Sequence, residues 1–114
     1  MPSERLCSRF EDIRENIARI ERFTGGHDSA SFAQDEKALF AVLHALLIIR
    51  EGARKLGDDA ASLAPEQPWP AIRAIGNILR HQYDEVDPAV IWRIVRDDLP
   101  SLRAAVERAL AALR

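Results

Sequence analysis

Cysteine is almost missing from this chain. Cys7 stands alone among 114 residues, so no internal disulfide can form. Histidine is nearly as scarce, with His27, His44 and His81 scattered and far apart, which leaves no zinc-type ligand set. Neither a structural metal nor a bound cofactor is expected. Long hydrophobic runs are missing too. The longest, "ALFAVLHALLII", is about half the length needed to cross a bilayer and contains His44. The N-terminus is charged from Glu4 onward and carries no apolar stretch or small-residue cleavage site of a secretory signal, so a cytoplasmic protein without a membrane span is expected. Charge of one sign is also lacking. A net charge of −2 argues against coating nucleic acid by bulk electrostatics, yet a local basic face can still hold a phosphate.

What is present is the ordinary balance of a globular chain, 47% hydrophobic and 30% charged, at a length that suits one domain over residues 1–114. Leu6, Phe10, Ile13, Ile17 and Ile20 recur at spacings of 4, 3, 4, 3, the stripe of an amphipathic helix that Gly25-Gly26 ends. After a loop from His27 to Ser31, a second helix is expected over Phe32 to Leu56. Its centre is apolar almost all round, which places it in the middle of a bundle or in a dimer interface, with His44 as a core histidine. Gly57-Asp58-Asp59 stops it, and a long loop is expected to Pro68. Pro70 suits the first turn of a third helix running to about Tyr83. Asp87-Pro88 reads as an N-cap and first helical position of a short helix. Leu99-Pro100 marks a boundary or kink before a last helix carrying Leu102, Val106, Leu110 and Leu113. No strand alternation or internal repeat appears. The fold expected is all-α, a bundle of four main helices and one short extra.

The third helix is the chemically unusual one. At 100° per residue, Arg73, Asn77, Arg80 and Asp84 fall within about 60° of one another, with His81 at the edge of that stripe. Ile72, Ile75, Ile78 and Leu79 make the opposite, packing side. Gly76 interrupts the helix at a cost of about 1 kcal/mol relative to alanine, as though a neighbouring helix, a ligand or a second subunit approached the backbone there. Histidine can move a proton near neutral pH, and arginines can bind a phosphate and stabilise charge building on it. Together they suffice for RNA cleavage without metal, and Tyr83 adds a phenolic oxygen able to bind phosphate, orient the histidine or accept a nucleotide. The same spacing also fits plain surface pairs, Arg73 with Asn77 and Arg80 with Asp84, closed off by His81 and Tyr83.

The stretch Pro68-Trp69, Asn77, His81-Gln82-Tyr83, Val86-Asp87, Trp92 and Asp98-Leu99-Pro100-Ser101-Leu102 resembles the HepT-like toxins of the HEPN superfamily. The resemblance implies a homodimeric helical bundle with RNase activity, the toxin of a toxin-antitoxin pair. Its implied partner is an MntA-like minimal nucleotidyltransferase antitoxin that attaches AMP to the tyrosine of an Arg-x4-His-x-Tyr motif. On this chain His81 takes the place of the catalytic histidine, Tyr83 that of the AMP acceptor, and Asn77 that of the polar residue after the motif arginine. Arg80 and Arg73 are the catalytic arginine candidates, with Asn77 and Asp84 supporting the site or binding RNA. The motif arginine position itself holds Gly76, with Arg73 one turn before it and Arg80 one turn after. That substitution leaves a second reading open, a non-enzymatic helical subunit that presents Tyr83 to a nucleotidyltransferase.

Overall fold

The computed structural model describes the backbone of residues 2–81 and 86–114, and the side chains of residues 3–75 and 86–114. Among the described residues there is no strand, and seven α-helices follow one another: α1 (Pro2–Thr24), α2 (Ser29–Gln34), α3 (Glu36–Leu56), α4 (Asp58–Leu63), α5 (Trp69–His81), α6 (Pro88–Arg93) and α7 (Leu99–Leu113). A π-helical turn, Ile94–Asp98, joins the last two. The fold is all-α, and α1, α3, α5 and α7 are its long members.

The apolar stripe of α1 is buried as its spacing predicts, with Phe10, Ile13, Ile17 and Ile20 all but inaccessible. It packs on α3 and α7, and α3 in turn packs on α5. Where α1 crosses α3 the second helix carries Gly52. A Cβ there would meet Ile13 Cγ1 at 3.0 Å and the Arg9 carbonyl at 3.5 Å, so this glycine permits the close approach of the two backbones.

Several expectations give way to the structure. The helix expected over Phe32 to Leu56 is two helices, because the Asp35 carboxylate accepts the Ala38 N–H at 3.0 Å and starts α3 afresh. The preceding α2 is capped reciprocally by Asp28 and Ser31. The loop expected before Pro68 contains α4, which begins just after Gly57. That residue has φ +57°, a conformation that glycine adopts without strain and that here ends α3. The boundary expected at Leu99-Pro100 is present, since α7 begins at Leu99 directly after the π turn and Pro100 sits in its first turn, where a missing N–H costs little. The short helix opens as expected, with Asp87 accepting the Ala89 N–H at 2.9 Å.

His44 is exposed rather than buried in the core. A helix apolar on most of its circumference gives periodicity little to act on, and the side that turns inward is that of Val42, Ala45, Leu46 and Ile49. The opposite side leaves Phe40 and Leu47 exposed beside His44.

The cap on α3 predicts a pH response. Asp35 accepts the Ala38 N–H and lies 3.2 Å from His27 Nε2, and the backbone bond first, then the histidine, lowers its carboxyl from the ordinary value. A carboxylate whose pKa is depressed on folding stabilises the fold above its unfolded value, and that contribution is lost as the pH falls through the folded one. Asp35→Ala should therefore melt a few degrees below the parent at pH 7. The gap should close below about pH 4, where the parent's carboxylate also takes up its proton. Thermal melts by circular dichroism across that range check it, and a gap that persists in acid would contradict it.

Candidate functional site

Trp69 fixes α5 in place. Its indole is buried, and Nε1 donates to the Ala64 carbonyl at 2.8 Å, tying the helix start to the chain that leads into it. Ile72 is buried one turn on, so the side of α5 facing α3 is that of Trp69 and Ile72. By helical register, position 76 falls between these two on the circumference. What approaches Gly76 itself lies outside the described residues.

Of the polar stripe, Arg73 is the member whose side chain the structure describes. Its Nη2 donates to the Gly57 carbonyl at 2.7 Å and its Nε to the Ala53 carbonyl at 3.3 Å. These carbonyls end α3, where backbone acceptors lack helical partners and the helix dipole is negative, so the guanidinium closes that terminus electrostatically as well as sterically. The backbone of α5 runs helically through Asn77, Arg80 and His81. Their side chains lie outside the described residues, as do Tyr83 and Asp84 entirely.

A second arginine, which the sequence pattern did not single out, crosses in the other direction. Arg50 Nε on α3 donates to the Arg73 carbonyl on α5 at 3.4 Å, and its Nη1 lies 3.3 Å from Glu51 Oε2. Only 17% of its side chain is exposed. The signal in the sequence was a charge placed directly after the apolar run, where a merely solvated residue would not be expected to be mostly covered. Glu51 also receives two donors from Arg54, and chiefly through them its carboxyl stays below the usual carboxylate range. Arg50 and Arg54 thus flank the carboxylate of Glu51, and Arg73 crosses from α5 to the carbonyls at the end of α3. Local positive charge exists here despite the acidic net balance of the chain.

Along the other flank of α5 a cavity of about 550 Å³ opens between α3, α5 and α7, walled by Leu46, Ile49, Ile72, Ile75 and Leu102. Asp97 and Asp98 of the π turn stand at its edge. Gln67, largely buried beside it, donates to Ser101 Oγ at 2.9 Å and so fixes the approach to α5 against α7.

The pattern of the described helices and the motif residues along α5 can be set against known proteins. The profile of the HepT-like ribonucleases matches residues 13–109. This chain belongs to the HepT-like ribonuclease family. A protein of Thermococcus cleftensis named "Probable ribonuclease HepT" is 40% identical over 99 residues, covering 87% of this chain and 90% of that one. A Methanocaldococcus jannaschii protein provisionally named an RNase is 33% identical over 96 residues, covering 84% and 88%. Another from the same organism, also provisionally named an RNase, is 30% identical over 101 residues, covering 89% and 84%. No solved structure matches significantly. Within this HepT-like chain, no helix among the described residues is long and apolar enough to cross a membrane, and no group of three or more potential metal ligands occurs among them.

Proposed function

We propose that this HepT-like chain is the ribonuclease toxin of a cytoplasmic toxin-antitoxin pair, silenced when an MntA-like nucleotidyltransferase attaches AMP to Tyr83. The observation that carries the reading is the His81-Gln82-Tyr83 triplet at the end of a helix anchored beside an arginine cluster, in a chain that belongs to a ribonuclease family. In the reaction, His81 takes the proton of a ribose 2′-hydroxyl. The freed oxygen bonds to the adjacent phosphorus, the bond from phosphorus to the 5′-oxygen breaks, and that oxygen leaves with a proton from solvent or from the same imidazole. Guanidinium groups neutralise the extra charge on the phosphorus oxygens. Arg80, Asn77 and Asp84 line the RNA path. Arg73 contributes chiefly by locking α5 to α3, because its donors already serve α3 carbonyls. The active unit is a homodimer in which two α5 helices face each other across a basic cleft.

Tyr83 two residues after His81 explains how one modification would silence the site, since adenylate there adds bulk and a negative phosphate where substrate phosphate must sit. Co-expression with an adjacent nucleotidyltransferase should add whole AMP units to the intact mass. The modified protein should not cut RNA, and Tyr83→Phe should show neither the mass shift nor the loss of cleavage. An unshifted mass would remove the antitoxin from the reading. A specific observation favours a second reading. Gly76 in place of the motif arginine suits a substrate subunit without nuclease activity, and this would be the result if AMP-free protein left RNA intact while Gly76→Arg cut it.

A further inference from the structure

One face of α3 is apolar and uncovered. Among the described residues the large hydrophobic side chains left exposed are Phe23 on α1 and Phe40 and Leu47 on α3, with Phe40 the most open at 58%. All three share one side of the molecule. Arg5 of α1 reaches the Lys55 carbonyl and Ile13 lies beside Gly52, so α1 and α3 run antiparallel. Asp12 of α1 borders the same groove as Leu47 and Ile48 of α3, and Phe23 stands three turns beyond Asp12 on the same side of its helix, about level with Phe40. On α3 itself, Phe40, Leu47 and Glu51 fall within about 40° of one another. Arg50, which meets α5, lies about 60–100° to one side of them, and Gly52, which meets α1, about 100–140° to the other. A single exposed hydrophobe is ordinary, but several on one face beside a groove mark an interface. The groove between α1 and α3 holds about 250 Å³, room for an aromatic ring, and is walled by Arg9, Asp12, Leu47, Ile48, Glu51 and Lys55. It is centred about ten residues, or 15 Å, along α3 from Phe40.

We propose that this face binds a second copy of the chain, α3 lying antiparallel on α3, with Phe40 of each copy seated in the groove of the other. A two-fold contact requires a patch that complements itself, and here the projecting ring and the groove that fits it lie on one patch. Seating Phe40 in the groove fixes the register and puts the two-fold axis near residues 45 and 46. Leu43 of one copy then meets Ile48 of the other, both of them half-buried in the single chain. The charges agree with the same register. Glu36 in the acidic first turn of one helix comes against Arg54 and Lys55 in the basic last turn of the other, and Lys37 reaches towards Glu51. Antiparallel helix dipoles add to the fit. The pairing also accounts for a helix whose centre is apolar almost all round, since the side that its own chain leaves open is covered by the second copy. It does not depend on RNA cleavage. Nor is it the α5 pairing proposed above, because α5 packs on another side of α3. A chain that uses both contacts closes as a tetramer.

The test measures the mass in solution of the full chain, purified alone, by light scattering over a dilution series, for the parent and for Phe40→Lys, Leu47→Lys and Phe40→Ala. Both positions are exposed in the single chain, so thermal melts of the variants should stay close to the parent's, and Phe40→Ala removes the ring without adding charge should a lysine variant melt early. Each lysine variant should have half the mass of the parent at the same concentration. Phe40→Ala should dissociate at a concentration at least about 30-fold higher than the parent, the loss expected for a central anchor of an interface. A parent tetramer that falls to a dimer supports both contacts. A parent dimer that falls to a monomer supports the α3 contact and removes the α5 pairing. Folded variants with the mass of the parent at every concentration would overturn the proposal, and a parent dimer among them would leave the α5 pairing standing. A monomeric parent overturns both.

Discussion

Alanine in place of His81 is expected to reduce RNA cleavage by about 10³-fold, the middle of the range that a positioned acid or base contributes. The chemistry asks for one group that removes a proton from a weakly acidic hydroxyl and returns one to a leaving oxygen at neutral pH, and histidine is the side chain suited to it. His44 and His27 do not qualify. The former is exposed on the far side of α3 beside Phe40 and Leu47, and the latter is engaged with Ser31 Oγ at 2.9 Å and Asp35 at 3.2 Å. Single-turnover cleavage of a short labelled RNA, with His44→Ala as the control at near-parental rate, measures the effect. Equal rates for His81→Ala and the parent would place any nuclease activity elsewhere.

The second large effect concerns stability. Trp69→Ala removes a wholly buried indole and leaves the Ala64 carbonyl without its 2.8 Å donor in a region where Ala64 itself is buried. Large aromatic truncations in a core cost about 3–5 kcal/mol, a large share of the roughly 5–15 kcal/mol by which a domain of this size is stable. The variant should be partly or wholly unfolded at 37 °C. Trp69→Phe keeps most of the apolar volume and loses the N–H, so it should fall by about 1–3 kcal/mol in urea unfolding. A Trp69→Ala protein as stable as the parent would show that α5 is anchored by something other than its first residue. Because Trp69 sets the angular phase of α5, a loosened anchor also moves the side of the helix that meets Arg50.

The legible parts of this fold are those where one face of a helix is apolar and the other is not. The stripe from Phe10 to Ile20 emerged intact for that reason, and so did the opening of α6 at Asp87-Pro88. The centre of α3 was not legible to the same degree. Leu43, Leu46, Leu47, Ile48 and Ile49 are chemically alike, and only the packing partners decide that Leu46 and Ile49 turn inward while Leu47 turns out. The break at Asp35 rests on a carboxylate choosing the Ala38 N–H over solvent, a local competition that a pattern of apolar residues does not record. At the candidate site, spacing along one helix grouped Arg73 with the polar stripe, but its partners are carbonyls on another helix. Arg50 was missed for the converse reason. It lies 23 residues from the backbone atom it contacts, and periodicity within a single element cannot see across that gap.

The π turn at Ile94–Asp98 bears on how the C-terminal third of the chain accommodates changes of length. The Leu99 N–H bonds to the Ile94 carbonyl, five residues back rather than four, so the rod formed by α6 and α7 holds one residue more than a continuous α-helix would in the same turn. Such a turn has the form of an insertion absorbed without a loop. The inward-facing residues before and after it, Ile91 and Val95 on one side, Leu99 and Leu102 on the other, still share one core. Deleting one residue of the turn would let α6 run into α7 as unbroken α-helix, at the segment where Asp97 and Asp98 stand at the edge of the cavity beside α5.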